Sequence, residues 1–267
     1  MNGPLPHTSV HAMTPLHTEF WEQNVARLEA QLLSQPLGRL FTGKLYLDKN
    51  APFPGLDLSG VREPNLHLSP VEVGRLCMAP DESLIRIRRL REQHDGTPAG
   101  VHIISANKFL RQGEQIIVVA YKDGEGIAVR LNALHLARVM LDDYAPARLG
   151  TVAFGLMACT AYRFDFSKIT LFAAGRGKRG HTVGADDKIG YQVWPKLGFD
   201  ALLAPADLNA EPQLARCHSV QDVMQIDPLW WAAHGHGREM TFNLAPGSRS
   251  WDVLLHYISK VFAWEGC

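Results

Sequence analysis

A chain of 267 residues with 46% hydrophobic and 20% charged residues buries a full core without disulfide or metal staples. Its 27 basic and 27 acidic side chains cancel, which argues against general affinity for nucleic acid, since that rests on excess positive charge. Cys77, Cys159, Cys217 and Cys267 lie far apart with no CxxC pair, so free thiols are expected and a zinc ribbon is not.

No apolar run approaches the ~18 residues needed to span a membrane. Residues 1–17 are rich in Pro, His and Thr and lack the charged-then-apolar layout of a signal peptide. The expected location is therefore the cytoplasm, and signal-less secretion stays compatible with the sequence.

Residues 1–16 read as a flexible lead. Phe20, Trp21, Val25, Leu28 and Leu32 recur at helical spacing, and Pro36 ends the pattern. Residues 40–47 alternate imperfectly and predict a strand. Residues 50–70 carry four prolines and two glycines, the composition of a long irregular connection.

From Leu84 the chain reads as strands. Ile85, Ile87 and Leu90 alternate with Arg86, Arg88 and Arg89, a half-buried strand with a solvated face. Residues 101–105, 115–121 and 127–136 continue as an antiparallel meander, with a hairpin turn at Lys122-Asp123-Gly124. Leu149, Val152, Ala153, Leu156 and Met157 then mark a helix with one buried face. Residues 168–174 predict a strand. The Gly-rich loop 175–184 follows, with Arg176, Lys178 and Arg179, and reads as a mobile loop ahead of a phosphate cradle.

Residues 189–197 predict a short helix ending near Pro195, and Ser219 with Asp222 predicts a capping box opening another. A strand is expected over 239–244. The last helix starts near Ser248 or Ser250 and buries Trp251, Leu254, Leu255, Ile258 and Phe262. The Trp194, Trp230 and Trp231 side chains are expected in the core. His234-Gly235-His236 reads as a surface turn rather than a metal site.

The order strand, strand, strand, helix, strand, Gly-rich loop, helix, strand resembles the GNAT acetyltransferase superfamily. The segment Gly190 to Leu203 carries the likeness, above all Lys196-Leu197-Gly198-Phe199. It covers about the C-terminal two thirds. The segment also resembles a narrower group of bacterial proteins through Tyr191, Trp194, Pro195, Gly198, Phe199 and Asp200.

The resemblance implies an α/β (α+β) fold: a mixed, mostly antiparallel sheet flanked by helices, spanning 84–267. An N-terminal extension over 17–83 precedes it. It further implies acetyl-CoA as acyl donor and an amine as acceptor. The pyrophosphate would be held at the start of the helix by Arg148, Gly150, Thr151 and Val152, because a helix amino end carries free N–H donors and a positive dipole end.

Two departures stand against ordinary acetyl transfer. Ala145 and Arg148 occupy positions where the family's pyrophosphate loop has Gln or Arg and Gly. Trp194 stands where many members have a general-acid tyrosine, so Tyr191, one turn earlier, is the substitute acid. Asp187 is the candidate base. The competing expectation is an inactive module that binds a protein or a polyanion, in the manner of a bacterial effector-associated protein.

Overall fold

The computed structural model describes residues 14–58, 66–90, 97–123, 131–177, 188–208 and 211–263. The N-terminal helical stretch is α1 (Pro15–Phe20), one π turn (Trp21–Val25) and α2 (Ala26–Ser34). Thr14 accepts from the His17 N–H and Pro15 sits at the first helical position, which together start α1.

The strand expected over 40–47 does not form. Gly43 takes φ +87°, and the Thr42 and Lys44 N–H groups donate to the Asp81 carboxylate at 3.0 and 3.1 Å instead of to a neighbouring strand. Within 50–70 the described residues form a two-stranded ribbon, β1 (Leu56–Asp57) and β2 (His67–Leu68), paired antiparallel. The unforeseen helix α3 (Pro70–Leu76) follows. Its start has the full capping box, Ser69 accepting from Glu72 N–H and Glu72 accepting from Ser69 N–H at 2.7 Å.

The remaining elements build one six-stranded sheet, ordered β3 (Leu84–Leu90), β4 (Gly100–Ala106), β5 (Ile116–Tyr121), β6 (Ala133–Arg138), β7 (Lys168–Arg176) and β8 (His236–Asn243). Every neighbouring pair is antiparallel except β6 and β7. The crossover between those two is α4 (Leu149–Arg163). Then come α5 (Gly190–Lys196), α6 (Val220–Ile226), α7 (Pro228–His234) and α8 (Arg249–Ala263). This is the mixed, mostly antiparallel sheet flanked by helices that the element order implied.

One sheet face is apolar. Ile85, Val101, Ile103, Val118, Ala120, Leu134, Ile169, Leu171 and Phe242 are all buried. Helix α4 lies in that core with more than one face covered: every residue from Val152 to Tyr162 is buried. A single apolar stripe was expected. The small residues Gly155, Ala158, Cys159 and Ala161 account for the difference, because they admit neighbours on the other sides. A Cβ on Gly155 would stand 2.6 Å from Leu32 Cδ1 of α2 and 3.2 Å from Ile258 Cδ1 of α8. The N-terminal helices α2 and α3 therefore pack on the same helix as the sheet. Arg75 joins them through Glu29 at 3.0 Å.

Cys77, Cys159 and Cys217 are buried free thiols, as expected. Cys267 lies outside the described residues. No helix among the described residues is long and apolar enough to cross a membrane.

Candidate functional site

Strands β6 and β7 pair for only four positions, from Ala133 with Lys168 to Leu136 with Leu171. Both strands run on beyond that point, β6 to Arg138 and β7 to Arg176. The carboxyl ends of the parallel pair thus part. A bulge at the same place reinforces the divergence: Val118 faces Leu136 but Ile117 faces Arg138, so Ala137 is an extra residue on β6. Parallel strands offer ligand crevices outside their carboxyl ends.

Helix α4 begins at this open end, because the chain leaves β6 there. Its N-cap, Arg148, is left-handed at φ +68° and provides no side-chain cap. Leu149 N–H donates to Pro146 O and Val152 N–H donates to Arg148 O at 3.0 Å. The Gly150 and Thr151 N–H groups have no acceptor among the described residues. Of the three amides expected to bind phosphate, Val152's is thus committed to the helix, and its side chain is fully buried. The Arg148 guanidinium lies 5.6 Å from the Phe262 ring centre on α8. Gly150 is half-buried, with Leu141 3.3 Å from where a Cβ would stand.

Tyr191 is elsewhere in character. It is buried, its hydroxyl donates to Ala232 O at 2.8 Å, and Gln192 Nε2 donates to it at 2.6 Å. Trp231 Nε1 donates back to the Tyr191 carbonyl. These bonds tie α5 to α7, and the phenol has a structural tie rather than a free reacting edge. Trp194 packs edge-on against Phe154 and Phe199. Trp230 and Trp231 are buried, as expected. Asp187 and most of the Gly-rich loop lie outside the described residues.

The face of the sheet opposite α4 carries a feature that sequence reading missed. Strand register sets His135 beside Thr170, Thr170 beside Thr241, and Thr241 beside Asp200 on a flanking bridge. Partners in register share a face, so these four polar residues form one row across adjoining strands. Thr170 Oγ donates to Leu134 O at 3.4 Å, and His135 Nδ1 lies 2.9 Å from the same Oγ. Tyr121 Oη adds a longer contact to Thr170 at 3.4 Å. Burial pushes the Tyr121 phenol up, with the Thr170 bond and Lys168 opposing. Lys168 itself is raised, chiefly by its bond to Asp123 at 2.8 Å.

His135 thus stands one residue before Leu136, where β6 and β7 part, and on the face away from α4. Among the described residues no group of three His, Cys, Asp or Glu is placed to hold a metal ion. In comparisons with known protein families, curated proteins and solved structures, nothing matches this chain.

Proposed function

We propose that the chain is an acyl-CoA-dependent N-acyltransferase, with the donor's pyrophosphate at the amino end of α4 and an amine acceptor on the opposite face of the sheet. The observation that carries this reading is the parting of β6 and β7 beyond Leu136 and Leu171, with the unused Gly150 and Thr151 N–H groups at that end. Two parallel N–H donors at a helix amino end suit a pyrophosphate, which needs donors more than a full counter-charge. Arg148 supplies a positive charge one residue outside the helix. The resemblance of Lys196-Leu197-Gly198-Phe199 to the GNAT superfamily supports the same reading.

The thioester supplies an activated acyl group; the chain's own residues then orient it and handle protons. The unpaired edge of β6 at Ala137 offers backbone donors for an acyl oxygen. His135, on the acceptor face of the sheet, would take the proton that an ammonium must lose before its nitrogen attacks the thioester carbonyl and CoA leaves as its thiol. Thr170 fixes that imidazole's orientation through Nδ1. Tyr191 serves to hold α5 in place.

Calorimetry with CoA and acetyl-CoA tests the reading. Micromolar binding is expected, and Gly150→Trp, which sets an indole across the amide donors, should abolish it. An absence of heat at millimolar CoA would defeat the proposal.

A further inference from the structure

The polar row does not stop at Thr241. It runs into a cleft of about 360 Å³ lined by Asp200, Gln221, Thr241, Asn243, Arg249 and Ser250. Three of these side chains keep an acceptor atom to spare. Asp200 Oδ1 is taken by the N–H groups of Ala201 and Gln221 at 2.8 and 2.9 Å, which leaves Oδ2. Gln221 is 4% exposed, and its Nε2 donates to Pro195 O at 2.6 Å and Phe199 O at 2.8 Å. Those two bonds fix the amide, so Oε1 is the atom with no partner among the described residues. An oxygen without a protein partner on a side chain that lines a cleft is available to a ligand's donor. The Thr241 hydroxyl likewise has no partner among the described residues.

Charge decides which donor. The one cation of the lining, Arg249, is held by Asp222 at 2.6 Å and by Gln225 at 3.3 Å. Asp200 has no such partner, so the lining presents one uncompensated carboxylate with neutral acceptors around it. An anionic ligand would meet that carboxylate. A calcium ion takes six to eight oxygens, more than this set offers. An organic ammonium, with two or three N–H donors and a single charge, satisfies the set.

We propose that this cleft binds the ammonium group of a small aliphatic amine, held by Asp200 Oδ2, Gln221 Oε1 and Thr241 Oγ. Asp200, Thr241, Thr170 and His135 follow one another at strand spacings of about 4.8 Å, so the row spans about 14 Å. A linear triamine anchored at Asp200 can extend along this row toward His135. Binding stands on the cleft alone; that the far nitrogen is the acceptor rests on the acyl-transfer reading above.

The experiment is a titration of the intact protein with 1,4-diaminobutane and with spermidine, in the absence of CoA, so that its outcome is independent of donor binding. Asp200→Asn keeps the Oδ1 acceptor that receives two backbone N–H groups and removes the charge. It is expected to weaken spermidine by about tenfold or more. Thr241→Val removes one hydroxyl at constant shape and is expected to weaken it a few-fold, and it serves as the second probe should Asp200→Asn fail to fold. Inorganic phosphate should not compete. No heat with either amine at millimolar concentration, equal affinity in a folded Asp200→Asn or in Thr241→Val, or displacement by phosphate would overturn the proposal.

Discussion

The two faces of β7 follow opposite rules. Ile169, Leu171 and Ala173 point to α4 and are buried, whereas Thr170 is half-exposed and Phe172 is 60% exposed on the other face. The first face is stabilised by volume and contact: Phe154 of α4 meets Trp194, Phe199 and Phe242, with ring centres 5.9, 5.0 and 5.4 Å away. The second is organised by hydrogen bonds between strands and keeps unmatched acceptors. The contrast teaches that close packing and unmatched hydrogen-bonding groups are divided between the faces, and that each can be changed while the other is left in place.

The largest effect should follow from emptying the dry face. Phe154→Ala is expected to lower stability by about 3–5 kcal/mol, read as a shift of the denaturation midpoint. Should the variant lose less than a Leu-to-Val change would, the aromatic cluster is not the centre of the core. Gly198→Ala comes next. Gly198 has φ +96°, and a Cβ there would stand 2.3 Å from Ser250 O. A loss of more than about 1 kcal/mol is expected, because both the backbone and the neighbour must give way. That geometry also explains why the signature segment has glycine at this position, whatever the activity.

On the open face the changes should be small in stability. Thr170→Val is expected to cost about 0.5–1.5 kcal/mol, the worth of the bonds to Leu134 and His135. It should move the imidazole resonances of His135, and a spectrum that stays unchanged would contradict the pairing.

The smallest effect concerns the seam between α1 and α4. The His17 ring stacks on Tyr162 at 3.9 Å, and the Tyr162 hydroxyl donates to His17 O at 2.9 Å. Burial pushes the phenol to about 12. Burial lowers the His17 value, with Asp165 opposing. A lowered imidazole means the unfolded chain binds the proton first. The contribution is thus whole above the ordinary imidazole range and is lost as pH falls toward the folded value. His17→Phe should flatten stability against pH in that window, and an unchanged slope would assign it to another group.

Much of the scaffold was legible in the sequence. The β-branched runs at 101–105 and 115–121 gave strands because residue type is a local signal, and the helical spacing of Trp251, Leu254 and Ile258 gave α8 for the same reason. α3 went unread although Ser69-Pro70-Val71-Glu72 carries its capping signal, since prolines around it suggested only loop. The polar row was illegible for a different reason. His135, Thr170, Asp200 and Thr241 are remote from one another along the chain, each a lone polar residue beside apolar ones. Only strand register makes them neighbours. Gln221 was hidden likewise, because its meaning lies in two carbonyls, of Pro195 and Phe199, that no spacing rule connects to it.

The most direct test of the proposed donor site is an amide-resolved NMR titration with CoA. The Gly150 and Thr151 N–H resonances should move strongly, while that of Val152, already bonded to Arg148 O, should move less. Shifts centred on another element, or none at millimolar CoA, would contradict the donor site at α4.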